Sequence, residues 1–215
     1  MKSDIAALIL AAGKSTRMGT SKSLLNWHGE LLVNYQINAL IKSGCKEIYL
    51  VIGHNGDKIR SKISNTKVTI INNPNYESGK SSSIIRGMKS IDKSIESLII
   101  VGVDQPRPIW FYEKIIKFHN KSTSVISSPI NNKKRVHPLI IRKSFFDEIL
   151  QISNYKNGLK DLFRINDDLV KTFEINSEWT HLDLNDKESF ERSLKFCLLY
   201  TSPSPRDQRG SGVAR

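Results

Sequence analysis

A loop near the amino terminus combines cationic side chains with glycines. The stretch LAAGKSTRMGTSK, residues 10–22, places Lys14, Arg17 and Lys22 around Gly13 and Gly19. Small residues let a loop backbone approach phosphate, its N–H groups can face phosphate oxygens, and cationic side chains can neutralise them. A strand followed by a solvated basic turn would explain any one of these residues but accounts poorly for the whole set. We therefore expect a phosphate-binding loop.

Two GKS strings in the chain invite comparison with a Walker A loop. That loop has the pattern G-x-x-x-x-G-K-[ST]. Its first glycine stands five positions before the glycine of the GK pair and lets the backbone wrap the phosphates. For the string at residues 13–15 the required position holds Leu8, and for the string at 79–81 it holds Pro74. Neither string is a Walker A loop.

A carboxylate ends an apolar segment in the middle of the chain. VGVDQP, residues 101–106, places Asp104 directly after a segment with the composition of a buried strand. Its hard oxygens would suit Mg²⁺ beside a triphosphate. Asp104 could instead cap the following helix, with Pro106 in the first turn, and for an isolated aspartate this is the favoured interpretation.

The elements that must position these residues alternate along the chain. Strands are expected at 4–10, 47–52, 68–72, 98–103 and 124–127, with helices at 31–43, 57–63, 81–89 and 109–120. This alternation predicts an α/β fold, a three-layer α/β/α sandwich with a mainly parallel, Rossmann-like sheet. Ligands bind beyond the carboxyl ends of such strands, in the loops after Leu10, Ile52, Ile71 and Val103.

The later part of the chain departs from this rhythm. A hairpin-like element is expected around 131–142, helices near 145–151, 158–164 and 186–196, and a strand near 169–173. We interpret these as added edge strands and a lid or substrate wall. Residues 1–197 should form a single domain. Residues 198–215 are rich in Ser, Pro, Gly and Arg and resemble translated adaptor sequence, so we expect this tail to be disordered and not native.

Composition restricts the class of protein and its partners. The chain has 215 residues, 39% of them hydrophobic, and a net charge of +12. The lysines and arginines are scattered, apart from a cluster at 133–135, and this scatter argues against a nucleic-acid partner. The positive charge itself suits a phosphate-rich small molecule equally well. No apolar run approaches the roughly 20 residues that cross a bilayer. Two cysteines without a disulfide or zinc pattern favour the cytoplasm.

The loop at 10–22 resembles the signature L-A-A-G-x-S-x-R-M-G-x-x-K of the MobA-like nucleotidyltransferases, especially the molybdenum cofactor cytidylyltransferases. The matching positions are Leu10, Ala11, Ala12, Gly13, Ser15, Arg17, Met18, Gly19 and Lys22. The resemblance implies a sheet of the nucleotide-diphospho-sugar transferase type. Sugar-nucleotide and isoprenoid cytidylyltransferases share a looser version of the signature.

The resemblance also implies a role for each matching residue. It assigns catalysis to Arg17, Lys22 and Asp104, with Mg²⁺ held by Asp104 and Asp183. It assigns nucleotide binding to the loop residues Leu10, Ala11, Ala12, Gly13, Lys14 and Ser15, and to Asn73, Gly79 and Ser83 in the segment NPNYESGKSSSIIRG. Gln105 and His137 would face the acceptor.

Several of these residues could have a purely structural role. Ser81 or Ser82 could cap the helix that follows Gly79, and Asn185 or Asp186 could cap the last helix. A lone histidine such as His137 is more often structural than catalytic, and no partner at motif spacing argues for a triad.

The sequence departs from the family pattern in two places. HLDLNDKESF, residues 181–190, keeps the first aspartate of the family's D-I-D but has Asn185 in place of the second. SNYKNGLKDL, residues 153–162, keeps only Gly158 of the family's G-D-x-G-A-R. Since that segment shapes the acceptor pocket in the family, the acceptor stays open.

The function that the resemblance implies is Mg²⁺-dependent transfer of CMP from CTP to the phosphate of a molybdopterin-type molybdenum cofactor, releasing pyrophosphate. LAAG in place of LAGG, a difference at Ala12, favours cytidine. A molybdoenzyme or its chaperone would be the recipient. The alternatives are a GTP-using guanylyltransferase, a cytidylyltransferase of a sugar or alcohol phosphate, and, in another class, a non-catalytic basic module that binds cofactor or RNA.

Overall fold

The computed structural model describes residues 4–201, with the backbone alone at residues 154 and 198–201. The strands are β1 (Ile5–Ala11), β2 (Asn26–Trp27), β3 (Glu30–Leu31), β4 (Ile48–Ile52), β5 (Val68–Asn72), β6 (Ser97–Gly102), β7 (Ile126–Asn131), β8 (Lys134–Arg135), β9 (Leu139–Arg142) and β10 (Val170–Glu174). The α-helices are α1 (Leu32–Lys42), α2 (Gly56–Arg60), α3 (Lys80–Met88), α4 (Ile109–Lys121), α5 (Phe146–Leu150), α6 (Leu159–Ile165) and α7 (Lys187–Thr201).

The main sheet has the order β10-β7-β9-β6-β1-β4-β5, with β8 added beside β7. β1 lies at its centre and pairs in parallel with both β4 and β6. Within the described part of this main sheet, β8 and β9 are the strands that run antiparallel to their neighbours. The expectation of a mainly parallel sheet is confirmed.

Helices cover both faces of this sheet because the strands are apolar on both faces. In β1, Ile5 and Ile9 pack into a core that includes side chains of α1, α4 and α7, whereas Ala6 and Leu8 pack into a second core with α3, α5 and α6. All seven residues of β1 are buried. A strand without a polar face must be covered twice, which produces the expected α/β/α sandwich.

One expectation about the later strands was wrong. β10 does lie at an edge, but β9 is inserted between β6 and β7, in the interior of the sheet. Leu139, Ile140 and Ile141 are at most 7% exposed. Consecutive apolar residues need cover on both faces, which an interior position supplies and an exposed edge does not.

The hairpin-like element expected around 131–142 begins as a hairpin of β7 and β8, in which Asn132 and Lys133 adopt the positive φ values, 49° and 63°, of a tight turn. The small hairpin of β2 and β3 was not expected from the sequence. It turns at His28 and Gly29, both with positive φ.

The carboxy-terminal helix extends beyond the domain boundary expected at residue 197, because α7 continues to Thr201. Asp186 caps this helix, since its Oδ1 accepts a hydrogen bond from the Ser189 N–H at 2.8 Å. The rest of the expected tail, residues 202–215, lies outside the described residues. No helix in the described part of the chain is long and apolar enough to cross a membrane.

Candidate nucleotide-binding site

A cavity of about 360 Å³ opens at the carboxyl ends of β1 and β6, where the fold predicts a ligand. Most of the residues singled out in the sequence line it: Leu10, Ala11, Ala12, Gly13, Ser15, Arg17, Lys22, Gly79, Ser83 and Asp104. Thr16, Ser23, Tyr76 and Asn185 also contribute to the wall. The β1 loop, the start of α3 and the end of β6 therefore meet at one place.

The β1 loop is held in shape by its own signature residues. Ser15 and Gly19 both adopt left-handed conformations, with φ of 53° and 68°. The Ser15 Oγ accepts a hydrogen bond from the Lys22 N–H at 3.1 Å, and the Met18 N–H donates to the Ser15 carbonyl at 3.0 Å. Met18 is 3% exposed and anchors the loop to the domain. The loop is thus closed on itself before any ligand binds.

Lys22 connects this loop to the end of β6. Its Nζ donates to the Asp104 Oδ2 at 2.9 Å and to the Asn185 Oδ1 at 3.3 Å. The Lys22 side chain is 11% exposed. The interpretation of Asp104 as a helix cap was wrong, because α4 begins after Pro108 and has no side-chain cap.

A second carboxylate lies beside Asp104. Burial, then the charge of Asp104, raises the pKa of Asp183 above its ordinary value, while Lys22 opposes this shift. Among the described residues, the buried Asp183 Oδ1 and Gln105 Oε1 have no hydrogen-bond partner. Buried oxygens are rarely left without partners, and a hard divalent cation prefers such ligands. The residues present therefore fit a metal ion.

Gly102 is required by the position of Asp104. A Cβ at residue 102 would lie 2.5 Å from the Asp104 Oδ1. The Leu184 N–H donates to the Asp104 carbonyl at 2.9 Å, which ties the strand end to the segment that carries Asp183. Within residues 4–201 no group of three or more His, Cys, Asp or Glu side chains could hold a metal, so this site would combine two carboxylates with amide oxygens.

Two of the residues expected to bind nucleotide do not line this cavity. The Lys14 Nζ pairs with the Glu77 Oε1 at 2.6 Å, and this pair, about half exposed or more on both sides, raises the pKa of Lys14. Asn73 is 3% exposed, and its amide donates to the hydroxyls of Ser82 and Ser83 at 3.0 Å. Asn73 therefore supports the start of α3 from behind.

The serines after Gly79 do not cap α3, contrary to the simplest alternative. The N-cap position is Gly79, and no side chain caps the helix. The Ser82 hydroxyl instead donates to the carbonyls of Asn75 and Gly79. These bonds hold the loop before α3 against the helix.

The residues expected on the acceptor side lie apart from each other. Gln105 lies beside Asp183, and a hydrogen bond between their side chains opposes the effect of burial, which still leaves the pKa of Asp183 raised. His137 instead lines a second cavity of about 530 Å³, next to the first. Burial, then the nearby charges of Lys80 and Arg107, lowers the pKa of His137 to about 4, so its imidazole is neutral at physiological pH.

Sequence reasoning missed Gln36, which supports the loop after β6. It is fully buried in α1, and its Nε2 donates to the carbonyls of Gly102 at 3.1 Å and Gln105 at 2.9 Å. Tyr112 donates its hydroxyl to the Gln36 Oε1. A single polar residue on the apolar face of α1 was the signal that could have revealed it.

Arg107 was also missed, and no sequence pattern marks it. It is 1% exposed, and its guanidinium donates to the carbonyls of Pro106 and Leu182 at 2.9 Å and of His137 at 3.3 Å. Burial lowers the pKa of Arg107 to about 10, so it stays charged at neutral pH. It joins the loops that carry Asp104, Asp183 and His137.

A central parallel strand leads here into a closed basic loop, and a neighbouring strand ends in a carboxylate bonded to that loop. The fold is of the nucleotide-diphospho-sugar transferase type, and the family to which the chain belongs makes it a nucleotidyltransferase. The chain belongs to the MobA-like NTP transferase domain family, whose pattern matches residues 7–172.

Two similar proteins carry the names of different activities. The chain is 28% identical over 157 residues to the molybdenum cofactor cytidylyltransferase of Escherichia coli (strain K12), covering 72% of this chain and 79% of that protein. It is 24% identical over 197 residues to the nicotine blue oxidoreductase of Paenarthrobacter nicotinovorans, covering 88% of this chain and 96% of that protein.

A solved structure shows the same fold. Rv0371c from Mycobacterium tuberculosis H37Rv superimposes with a TM-score of 0.79 at 18% identity, covering 91% of this chain and all of that one. Another crystal structure of Rv0371c is a complex with manganese, with a TM-score of 0.72 at 17% identity, covering 89% of this chain and 98% of that one.

Proposed function

We propose that the protein transfers CMP from CTP to the phosphate of a molybdopterin-type molybdenum cofactor, in a reaction that depends on Mg²⁺ and releases pyrophosphate. The observation that carries the nucleotidyl-transfer chemistry is the Lys22–Asp104 pair at 2.9 Å in the wall of the cavity. The choice of CTP and of this acceptor is supported by Ala12 and by the likeness to the E. coli cytidylyltransferase.

The chemistry requires positioning and charge neutralisation more than a protein nucleophile. An oxygen of the acceptor phosphate attacks the α-phosphorus of the NTP in line, and the bond from that phosphorus to the bridging oxygen breaks as pyrophosphate leaves. Lys22 is held at the junction of the β1 loop and β6, where it can stabilise the charge that develops on the α-phosphate.

The β- and γ-phosphates require other cations. Arg17 is exposed at the cavity wall, free to reach them. Lys14 is paired with Glu77 on the surface, and because exposed pairs contribute little stability, the lysine can exchange this partner for a phosphate.

Asp104 and Asp183 would hold the metal, with Gln105 or Asn185 adding an amide oxygen. When bound, a divalent ion neutralises phosphate charge and orients the triphosphate. The orphaned Asp183 Oδ1 supports this assignment, as does the manganese complex of Rv0371c. Mg²⁺ is the proposed ion because it binds readily to carboxylates together with substrate phosphates.

The proposed acceptor also determines which protein would receive the product. A molybdenum cofactor carrying CMP would pass to a molybdoenzyme or its chaperone in the cytoplasm. The alternatives remain a GTP-using guanylyltransferase and a cytidylyltransferase of a sugar or alcohol phosphate. A non-catalytic basic module, binding cofactor or RNA, is disfavoured because Asp104 and Asp183 lie together beside Lys22.

A pyrophosphate-release screen tests the proposal. The purified protein is incubated with CTP, GTP, ATP or UTP, with Mg²⁺ and with molybdopterin cofactor as acceptor. We expect release with CTP that needs both Mg²⁺ and the cofactor. Release with GTP but not with CTP would overturn the choice of CTP and favour the guanylyltransferase alternative. No release of pyrophosphate with any of the four nucleotides, in folded protein, would overturn the whole proposal.

A further inference from the structure

The two cavities meet at one cation. Of the described residues, Lys80 alone lines both the nucleotide-binding cavity and the second cavity that contains His137. It is the first residue of α3 and is exposed. No described residue forms a hydrogen bond or ion pair with its side chain. Within the described part of the chain, an exposed and unpaired ammonium group therefore lies at the junction of the two cavities.

The second cavity has an apolar floor. Ile84, Ile126, Leu139, Phe163 and Val170 all line it. Its histidine, His137, is neutral at physiological pH. The apolar side chains suit the apolar face of a ring system, and polar residues that also line the cavity, among them Ser81, Ser128 and Asn157, can bond to polar groups at the edge of that ring.

The other cations around the second cavity are mostly paired. Arg135 forms an ion pair with Asp167, and the Arg164 guanidinium lies 3.6 Å from the Asp161 carboxylate. Lys160 lines this cavity too, but among the cations of the described residues Lys80 is the one that lines both cavities.

The part of the second cavity's wall at residues 157–160 packs against the first turn of α3. Gly158, with φ of 55°, approaches so closely that a Cβ there would lie 2.7 Å from the Ser81 Oγ. This contact holds the wall at 157–160 next to Lys80.

We propose that Lys80 binds the reacting phosphate of the acceptor, and that the acceptor is a phosphomonoester whose ring system lies with its apolar face against the apolar side chains of the second cavity. The inference rests on the proposed nucleotidyl transfer and narrows its acceptor. The acceptor phosphate must approach a triphosphate that already carries negative charge. A cation lining both cavities reduces this repulsion at the point where the two anions meet.

Calorimetric binding of naphthyl phosphate tests the inference, because this probe combines a phosphomonoester with an apolar ring. Naphthol lacks the anion and glycerol phosphate lacks the ring. We expect the wild-type protein to bind naphthyl phosphate about tenfold or more tightly than either, because each partial probe loses one set of contacts. Equal binding of glycerol phosphate, or no binding of naphthyl phosphate at millimolar concentration, would overturn the inference.

Substitution separates Lys80 from its neighbours. Lys80→Met should weaken naphthyl phosphate binding by about tenfold, the loss expected for one charge-assisted hydrogen bond, and should leave CTP binding within about threefold. Lys89→Met, at the other end of α3, is the matched control and should bind both ligands as the wild type does. Unchanged naphthyl phosphate binding in Lys80→Met, or an equal loss of CTP binding, contradicts the assignment.

The same experiment separates this inference from the proposed function. Naphthyl phosphate binding is measured without turnover, so a protein that releases no pyrophosphate with any acceptor can still show or lack the effect of Lys80. Circular dichroism of Lys80→Met confirms that the exposed substitution leaves the fold intact.

Discussion

At the scale of single residues, the candidate chemistry depends on one polar junction. Lys22, from the β1 loop, reaches Asp104 and Asn185, which are 82 and 163 positions away in the chain. The Lys22 ammonium is largely shielded from solvent, and its partners leave it pointing into the cavity. Preorganised charge in such a site stabilises a transition state more effectively than a mobile surface lysine would.

Lys22→Met should therefore reduce turnover much more than stability. We expect the rate constant kcat to fall by about 100-fold or more, the effect of removing one preorganised donor, because charge developing on the α-phosphate loses its partner. Pyrophosphate release measures the rate, and thermal unfolding measures the stability.

Lys46→Met is the matched control for this substitution. Lys46 also pairs with an aspartate, Asp4, at 3.5 Å, but at the amino-terminal end of β4, away from the cavity. It should keep wild-type activity. Comparable losses of activity in the two variants would argue against a special role for Lys22.

At the scale of elements, buried polar side chains hold the loops around the site. Gln36, from α1, bonds to the backbone on both sides of Asp104, and Arg107 joins three separate loops through their carbonyls. Neither touches the cavity in the described structure. Both position the residues that do.

Arg107→Met should destabilise the protein and also weaken its metal site. It leaves several buried carbonyls unpaired, and each costs about 1–3 kcal/mol, so we expect the free energy of unfolding in urea to fall by at least about 2 kcal/mol. Because the Asp104 and Asp183 loops lose their connection, Mn²⁺ affinity in the folded variant, measured by calorimetry, should fall as well.

Arg142→Met provides the comparison. Arg142 likewise donates to backbone carbonyls, those of His119, Ser122 and Ser124, but in the sheet it lies opposite Ser97, at the other end of β6 from Asp104. We expect a loss of stability with unchanged Mn²⁺ affinity. If Arg107→Met keeps wild-type Mn²⁺ affinity, Arg107 supports the fold without positioning the carboxylates.

At the scale of the whole molecule, a buried histidine couples the fold to pH. His119, on α4, bonds through its Nδ1 to the Ser127 hydroxyl at 2.8 Å and through its Nε2 to the Ser97 hydroxyl at 3.1 Å. Burial, then the charge of Arg142, lowers the pKa of His119 from 6.5 to about 4. The network connects α4 to β6 and β7, and the buried site favours the neutral imidazole.

The protein should therefore lose stability as the pH falls from about 6.5 towards 4. In this window the unfolded chain binds more protons at His119 than the folded protein does, so the free energy of unfolding rises with pH. His119 should contribute about 2 kcal/mol to the difference between pH 7 and pH 5, given its lowered pKa.

Urea unfolding of wild type and His119→Asn at pH 7 and pH 5 measures this contribution. The variant should be less stable at pH 7 but should show a smaller difference between the two pH values. An unchanged difference would assign the pH dependence to other groups, of which His137, with its pKa also lowered to about 4, is the first to test.

Local patterns predicted most elements of the fold. β5 spans the expected residues 68–72, and α1 and α4 begin within one residue of their expected starts. The β2–β3 hairpin was missed because strands of two residues are too short to show a period. The interior place of β9 was missed because its apolar run predicts that the strand is buried but does not indicate which strands it pairs with.

The sequence by itself determined the parallel α/β architecture and the chemistry of the β1 loop. Both depend on neighbours along the chain: alternating apolar runs, glycines that permit left-handed turns, and cations at close spacing. Only the tertiary structure decided which side chains meet across the sheet. It joined Lys22 to Asp104, gave Gln36 and Arg107 their positions behind the site, and set Lys80 between two cavities, because these contacts follow from strand order and packing, which no local pattern records.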